Sequence, residues 1–513
     1  MAFERQIAEH AERKAQAMSM GGQEKLERRR ASGVLNARER VAYLVDQGTW
    51  QETGLFGVSM RSEMRERTPA DGKITGFGKI DGRRVGVVAN DFTVLGASSS
   101  STAERKVSDV KGASKKRGIP VVFLNESSGA RMPDLMGAAG MAAIDRPDRS
   151  SRFLRSRVSP WASALLGNGF GSSAWHASMS DFNVMRKGSV MAVASPRLVS
   201  LATKGTVDPE ELGGWKVHSE VTGFVDMVVD TDEEALDAVK RFLSYLPDHA
   251  GEAPPRSEVP DGSGDACEAI LDMLPESRTK VYDVRKVIHA VVDAGSCFEL
   301  KPRFGRPLVT ALARLDGRSV GIVANNPFFK GGAPDMDACR KVMSFLVLCD
   351  SYNIPLIFLV DQPGFLIGME AERRGIVGGV VNWMNALSLC TVPKVMVVLR
   401  KSYGQAYVNM GGAGLSDGSA VWWTADTSFM DPAAGATIVY GVTEDDDPDA
   451  YRQALSKMTK DTSAYDMAAV YGVQDVIDPR ETREYLRRTL EIHELRVTGG
   501  VGQHLMSNWP TNF

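Results

Sequence analysis

Asp81-Gly82-Arg83-Arg84-Val85-Gly86-Val87-Val88-Ala89-Asn90 returns later in the chain as Asp316-Gly317-Arg318-Ser319-Val320-Gly321-Ile322-Val323-Ala324-Asn325, an offset of 235 from 81 to 316. The same offset carries Ile119-Pro120 onto Ile354-Pro355 and Gly129 onto Gly364. Phe170-Gly171-Ser172-Ser173 meets Tyr403-Gly404-Gln405-Ala406 at the nearby offset of 233, from 171 to 404. A register held over roughly ninety residues is the mark of an internal duplication, which fixes the architecture before any local reading. Two copies of one domain offer two equivalent pockets, and so a way to hold two substrates.

The local pattern is the same in both copies. Asp-Gly between two apolar runs predicts a β-hairpin, with strands over 73–80 and 85–89 in the first half and over 308–314 and 320–324 in the second. A helix is expected over 103–117 and another over 336–352. Buried strands follow at 120–124 and 355–360, and each runs into a loop: Glu126-Ser127-Ser128-Gly129-Ala130-Arg131-Met132, then Asp361-Gln362-Pro363-Gly364-Phe365. Repeated strand–strand–helix units predict a stacked superhelical α/β spiral, because a plain doubly wound sheet alternates strand with helix. Ahead of the first hairpin, 5–31 reads as one charged helix, 39–46 as a short amphipathic helix and 50–55 as a strand. The stretch 248–265, rich in Pro, Gly and charge, predicts a linker. The expected division is 1–250, a linker at 251–265, and 266–513.

Bulk properties narrow the function. The 513 residues suit two domains, each of about 250 residues and large enough for its own core. Hydrophobic residues at 43% and charged residues at 24% are ordinary for a soluble globular protein. A net charge of −3 gives no reason to expect nucleic acid or an anionic membrane as partner. Cys267, Cys297, Cys339, Cys349 and Cys390 include no CxxC pair, and their odd count fits a reducing cytoplasm. No apolar run approaches the roughly 20 residues of a membrane span, and residues 1–40 carry no secretory signal pattern. Cytoplasmic placement, with no metal, is the expectation. Several of the 50 glycines cluster in loops after apolar runs, where backbone can approach a ligand closely.

A set of segments then carries a resemblance. Asn90-Asp91-Phe92-Thr93-Val94-Leu95-Gly96, Glu126 to Arg131 and Glu210-Glu211-Leu212-Gly213-Gly214 are matched in the second half by 320–327, Val360-Asp361-Gln362-Pro363-Gly364-Phe365 and Arg400-Lys401-Ser402-Tyr403-Gly404. The chain resembles the carboxyltransferase (β) subunit of biotin-dependent acyl-CoA carboxylases, the propionyl-CoA carboxylase and methylmalonyl-CoA decarboxylase group. The resemblance covers about 25–490. It implies two tandem crotonase-like ββα superhelix domains, acyl-CoA on the N-terminal one and biotin on the C-terminal one. It implies an active site between domains of different subunits, and a hexamer built as a trimer of dimers. The cofactor would be biotin, as carboxybiotin on a separate carrier protein. Separate biotin carboxylase and biotin carboxyl carrier subunits would be partners, since the chain has no Met-Lys-Met attachment site and no ATP-binding module.

In such enzymes carboxybiotin releases CO2, its ureido group takes the acyl α-proton, and the enolate takes up CO2. The substrates supply their own base, so the protein's task is to stabilise oxyanions with aimed backbone N–H groups. The family's Gly-Gly-Ala turns align with Gly171-Ser172-Ser173 and Gly404-Gln405-Ala406, which the resemblance makes the catalytic residues. Ser128, Gly129, Ala130, Arg131 and Val408 would bind acyl-CoA; Pro363, Gly364, Phe365 and Tyr407 would bind biotin. Ser172 and Gln405 replace the second glycine of each turn, and a positive φ there would cost about 1–3 kcal/mol. Val408 stands where propionyl-type enzymes carry Asp. Phe429-Met430-Asp431-Pro432 and the ending His504-Leu505-Met506-Ser507-Asn508-Trp509-Pro510 also depart from the family pattern, which marks an atypical branch.

Other residues have two readings. Glu126 is either a hydratase-type base or a hydrogen-bonded structural carboxylate. Arg131 meets a CoA phosphate or a salt-bridge partner. His176 and Asp181 read as a packed histidine and a cap, with acid–base work the alternative. Trp422-Trp423 line a ligand or pack in a core or interface. Arg373-Arg374 meet phosphates, a subunit or solvent. The competing activities are a biotin-dependent or biotin-independent malonyl-type decarboxylase, a crotonase-type CoA hydratase or hydrolase, and a non-enzymatic scaffold.

Overall fold

Asp81 and Gly82 both adopt positive φ, 49° and 77°, and so do Asp316 and Gly317, at 55° and 73°. Two successive left-handed residues make the tight hairpin turn that matches strand twist. The first turn joins β2, Lys73–Ile80, to β3, Arg83–Asn90, after a short β1, Gln51–Thr53. The computed structural model describes residues 3–138, 154–277, 279–494 and 501–509. Its chain forms two units, Met1–Glu252 with Asn508–Thr511, and Ala253–Ser507 with Asn512–Phe513.

In the first unit β3 continues into β4, Val121–Ser128, β5, Trp161–Phe170, β6, Phe182–Arg186, β7, Val190–Ala192, and β8, Met227–Val229. The sheet order is β1-β2-β3-β4-β5-β6-β8, with β7 beside β5. β1, β2 and β3 pair antiparallel, and every later pairing is parallel. Val121, Val122, Phe123 and Leu124 are fully buried, as expected of a parallel strand covered on both faces. The second unit repeats this with β9, Phe298–Leu300, β10, Leu308–Leu315, β11, Arg318–Asn325, β12, Leu356–Gln362, β13, Lys394–Tyr403, β14, Gly418–Trp422, β15, Asp426–Ser428, and β16, Asp475–Ile477. Its order is β16-β14-β13-β12-β11-β10-β9, with β15 beside β13.

The helices Ser101–Arg117 and Met336–Ser351 cross from β3 to β4 and from β11 to β12, close to the expected limits. The N-terminal segment differs from expectation. It is two helices, Glu4–Met18 and Gln23–Ala31, rather than one. The break falls at Met20, whose φ is 55°, and at Gly21, where a Cβ would lie 2.1 Å from the Thr93 carbonyl oxygen. The chain turns there because only glycine lets it pack so closely on Thr93.

One buried contact is repeated at the duplication offset. Lys106 Nζ donates to the carbonyls of Ala70 (2.7 Å) and Lys73 (2.5 Å). Lys341 Nζ donates to those of Lys301, Phe304 and Leu308 at 2.8–3.0 Å. Each lysine pins the entry to its unit's first hairpin strand onto the crossover helix. Burial pushes Lys341 down to about 7 and Lys106 down to about 8. Of the C-terminal segment 504–510, the half-buried His504 directs its side chain toward Asp350, 3.9 Å away, and Pro510 lies outside the described residues.

Candidate active site

β4 and β5 pair in parallel up to Asn125 and Leu165, lose register across Glu126, and resume as Ser127 opposite Gly169 and Ser128 opposite Phe170. β12 and β13 break in the same way across Asp361. β5 pairs with β6 over 162–165 and then with β7 over 168–170; β13 likewise leaves β14 for β15. Each unit therefore delivers the ends of two neighbouring strands to one place, with a loop glycine after the first and a helix start after the second.

In the first unit these are Gly129, with φ 102°, and Gly171, with φ 63° and ψ −126°. A Cβ on Gly171 would lie 3.3 Å from the Gly129 Cα. Gly171 leads into the helix Ser172–Ser178. Gly404, with φ 62° and ψ −153°, leads into the helix Gln405–Asn409, and its loop partner Gly364 has φ 114°. The first N–H groups of a helix have no acceptor within it, so both turns present backbone donors.

Positive φ falls on the leading glycine of each turn; neither Ser172 nor Gln405 has it. The side chains at the second position therefore carry no strain of that kind, contrary to the cost weighed from the sequence. They take up helical positions and leave the N–H donors in place. Ser173 is buried, and its Oγ accepts from Asn90 Nδ2 at 2.8 Å. Gln405 is exposed, with its Nε2 2.9 Å from Met384 Sδ.

The loop around Gly129 is held from inside. Ser99 N donates to the Gly129 carbonyl and Arg131 N to the Ser99 carbonyl, both at 2.8 Å. Gly129 N donates to Ser127 Oγ at 3.1 Å. Ser128 and Ala130 are exposed. Arg131, of the same expected set, is only 2% exposed. Its guanidinium is paired with Asp71 and Asp134 and bonds Ser98 Oγ and the Ser98 carbonyl. It ties the loop down and turns away from solvent.

On the second unit Pro363, Gly364 and Phe365 are half-buried, as are Tyr407 and Val408. Phe365 packs edge-on against the fully buried Trp383, ring centroids 5.9 Å apart. Burial raises the Tyr407 phenol. Ala406 is buried.

Glu126 is not free to act as a base. Arg29 holds both its oxygens, at 2.9 and 2.8 Å, and Arg40 Nη1 adds a bond of 2.7 Å to Oε2. Arg40 is itself fully buried and paired with Asp232 at 2.9 Å. Burial works to raise the Glu126 carboxyl, but Arg40 and Arg29 hold it below the usual range. Asp361, at the equivalent bulge, pairs with Arg400 at 2.7 Å. His176 stacks on Phe123, centroids 4.8 Å apart, and Asp181 pairs with Arg155 and Arg157. Trp422 lies in the second unit's core, its Nε1 on Thr482 Oγ1. Arg374 pairs with Asp337.

Sequence reading missed Arg29, Arg40 and Asp232, which carry no local signal. Asn90 closes the repeated hairpin motif, and its side chain proves to support the first turn. Among the described residues no cluster of His, Cys, Asp and Glu could hold a metal, and no helix is long and apolar enough to cross a membrane.

Two α/β units with matching sheet order, matching strand ends and glycine-led helix starts define a tandem crotonase-like fold. The carboxyl transferase domain model matches residues 28–498. The chain belongs to this family of carboxyl-transferring enzymes. It is 36% identical to the propionyl-CoA carboxylase carboxyltransferase subunit of Haloferax mediterranei, over 95% of each chain. It is 34% identical to the methylmalonyl-CoA carboxyltransferase 12S subunit of Propionibacterium freudenreichii subsp. shermanii, over 96% of this chain and 94% of that one. It is also 34% identical to the methylmalonyl-CoA decarboxylase subunit alpha of Propionigenium modestum, over 90% and 91%. Among solved structures, the transcarboxylase 12S hexamer with methylmalonyl-coenzyme A bound superposes with a TM-score of 0.89 at 32% identity, over 96% of both chains.

Proposed function

We propose that this chain is the carboxyltransferase subunit of a biotin-dependent acyl-CoA carboxylase, with acyl-CoA on residues 1–250 and biotin on residues 266–513, across the linker 251–265. The observation that carries the reading is the pair of glycine-led turns at Gly171 and Gly404, each at the end of an equivalent strand. Two developing oxyanions need two such donor sets, and a preorganised backbone N–H costs no reorganisation during the reaction. At the Gly171-Ser172-Ser173 turn the backbone N–H groups hold one oxyanion; at the Gly404-Gln405-Ala406 turn those of Gln405 and Ala406 hold the other, since the Gly404 N–H already donates to the Ser428 carbonyl at 3.1 Å. Ser128, Gly129 and Ala130 lie along the acyl-CoA path, with Arg131 fixing their loop from beneath; Val408 borders the acyl group. Pro363, Gly364, Phe365 and Tyr407 border the biotin ring. Carboxybiotin, on a separate carrier protein, supplies the carboxyl group and the base.

The immobilised carboxylate of Glu126 argues against a hydratase-type base at this position. The chain's partners are a biotin carboxylase and a biotin carboxyl carrier, its assembly is a hexamer like that of the transcarboxylase 12S structure, and its site of action is the cytoplasm. The likeness to methylmalonyl-CoA decarboxylase subunits keeps the reverse direction as a second reading.

The test uses purified protein, a panel of malonyl-type CoA thioesters, and free biotin or biocytin. Decarboxylation that requires biotin supports carboxyl transfer, and the best thioester names the acyl group. Decarboxylation without biotin overturns the reading in favour of a stand-alone decarboxylase.

A further inference from the structure

Ser172 does more than lend its N–H. Its Oγ lies 2.6 Å from the Oγ of Ser99. Among the described residues these two hydroxyls have each other as their side-chain hydrogen-bond partner and no other acceptor. A hydroxyl carries one proton and can accept two bonds. In a pair whose only bond is to each other, one proton is used between them and one is left over.

The surroundings decide where the spare proton sits. Ser99 is 7% exposed, and its backbone is fixed on both sides by the Gly129 carbonyl and the Arg131 N–H. A spare proton there would be a buried donor with no acceptor, which is costly. Ser172 is only half-buried and opens the helix behind the Gly171 turn. The favoured arrangement has Ser99 donating to Ser172, with the Ser172 O–H directed outward. Donating to Ser172 also polarises that hydroxyl and strengthens its own donation.

We infer that the Ser172 hydroxyl is an additional oxyanion donor at the Gly171 turn, oriented and polarised by Ser99, so that this turn binds its anion through a side-chain O–H as well as backbone N–H groups. Ser172 is then a catalytic residue and Ser99 a positioning residue. The inference rests on the carboxyltransferase reading. The Gly404 turn has no equivalent, because Gln405 directs its amide to Met384 and Asn409.

The experiment measures biotin-dependent decarboxylation of the best malonyl-type CoA thioester by the full-length wild type, S172A, S172T, S99A and the S99A/S172A double variant. The expected result for S172A is a fall in kcat of about a hundred- to a thousandfold with KM within about twofold, and substantial recovery in S172T, which restores the hydroxyl. S99A should lose less, and the double variant should match S172A alone, because Ser99 acts through Ser172. Thermal melting of each variant within a few degrees of wild type separates this from unfolding. Wild-type-like kcat in S172A, or additive losses in the double variant, overturns the inference and leaves the carboxyltransferase reading intact. If S172A is too unstable to assay, S99A against S172T decides: equal, undiminished kcat in both overturns the inference. Absence of turnover by the wild type overturns the underlying reading, and this inference with it.

Discussion

Gly171 stands so close to Gly129 that a Cβ on it would lie 3.3 Å from the Gly129 Cα. Its φ of 63° with ψ of −126° also lies outside the region open to L side chains. Gly171→Ala should therefore move the N–H groups of the turn and lower kcat by at least about a hundredfold, the scale of losing a preorganised oxyanion donor. Gly404→Ala should behave alike, since its Cβ would lie 3.1 Å from the Phe429 carbonyl. Steady-state kinetics on both variants check this, and activity within threefold of wild type in either would refute it.

Glu126 and Arg40 form the centre of a buried charge cluster with Arg29 and Asp232. Removing one partner of a buried pair strands the others and costs about 3–5 kcal/mol. Glu126→Gln should lower the melting temperature sharply, while folded protein keeps kcat within a few-fold and an unshifted pH–rate profile. Loss of the acidic limb in that profile, with stability preserved, would restore the catalytic reading of this carboxylate as a base.

The duplication, the two hairpins, the crossover helices and the two glycine turns were all legible in the sequence, because each is written in contiguous residues with their own backbone demands. Asp81-Gly82 can hardly make any other turn. The charge cluster was illegible for the opposite reason: Arg29 and Glu126 are 97 residues apart, and Arg40 and Asp232 are 192 apart. Nothing in a local window tells an arginine that will be fully buried from one that stays in solvent. Arg131 shows the same limit, since its place in a motif does not reveal that Asp71, 60 residues earlier, turns it inward. Ser172 and Gln405 posed a backbone question that the sequence left open, and the answer lies one residue earlier, on Gly171 and Gly404.

Lys341 carries a pH signature. Burial lowers it to about 7, whereas an unfolded lysine titrates near about 10.4. Below pH 7 it is charged in both states and the burial penalty is complete. Between about 7 and 10.4 folding releases a proton, so stability should rise with pH through that window. Lys341→Met removes this dependence. It also leaves the carbonyls of Lys301, Phe304 and Leu308 without their donor, at a cost of about 1–3 kcal/mol at pH 7. Melting curves at pH 7 and pH 9 should show wild type gaining on Lys341→Met; parallel curves would mean the ammonium stays charged on its three carbonyls throughout.

Val408 lies half-buried in the helix that follows Gly404, where propionyl-type carboxyltransferases carry Asp. An apolar side chain there favours burial of acyl carbons, and each buried methylene is worth about 0.8 kcal/mol, or about fourfold in kcat/KM. A carboxylate in its place would have to stay hydrated and would push longer chains out. Val408→Asp should therefore shift preference toward short acyl groups by about fourfold for every methylene the wild-type pocket accommodates. Competition between pairs of malonyl-type CoA thioesters that differ by one methylene measures this ratio directly. An unchanged ratio would place the acyl chain away from Val408 and against other residues near the two turns.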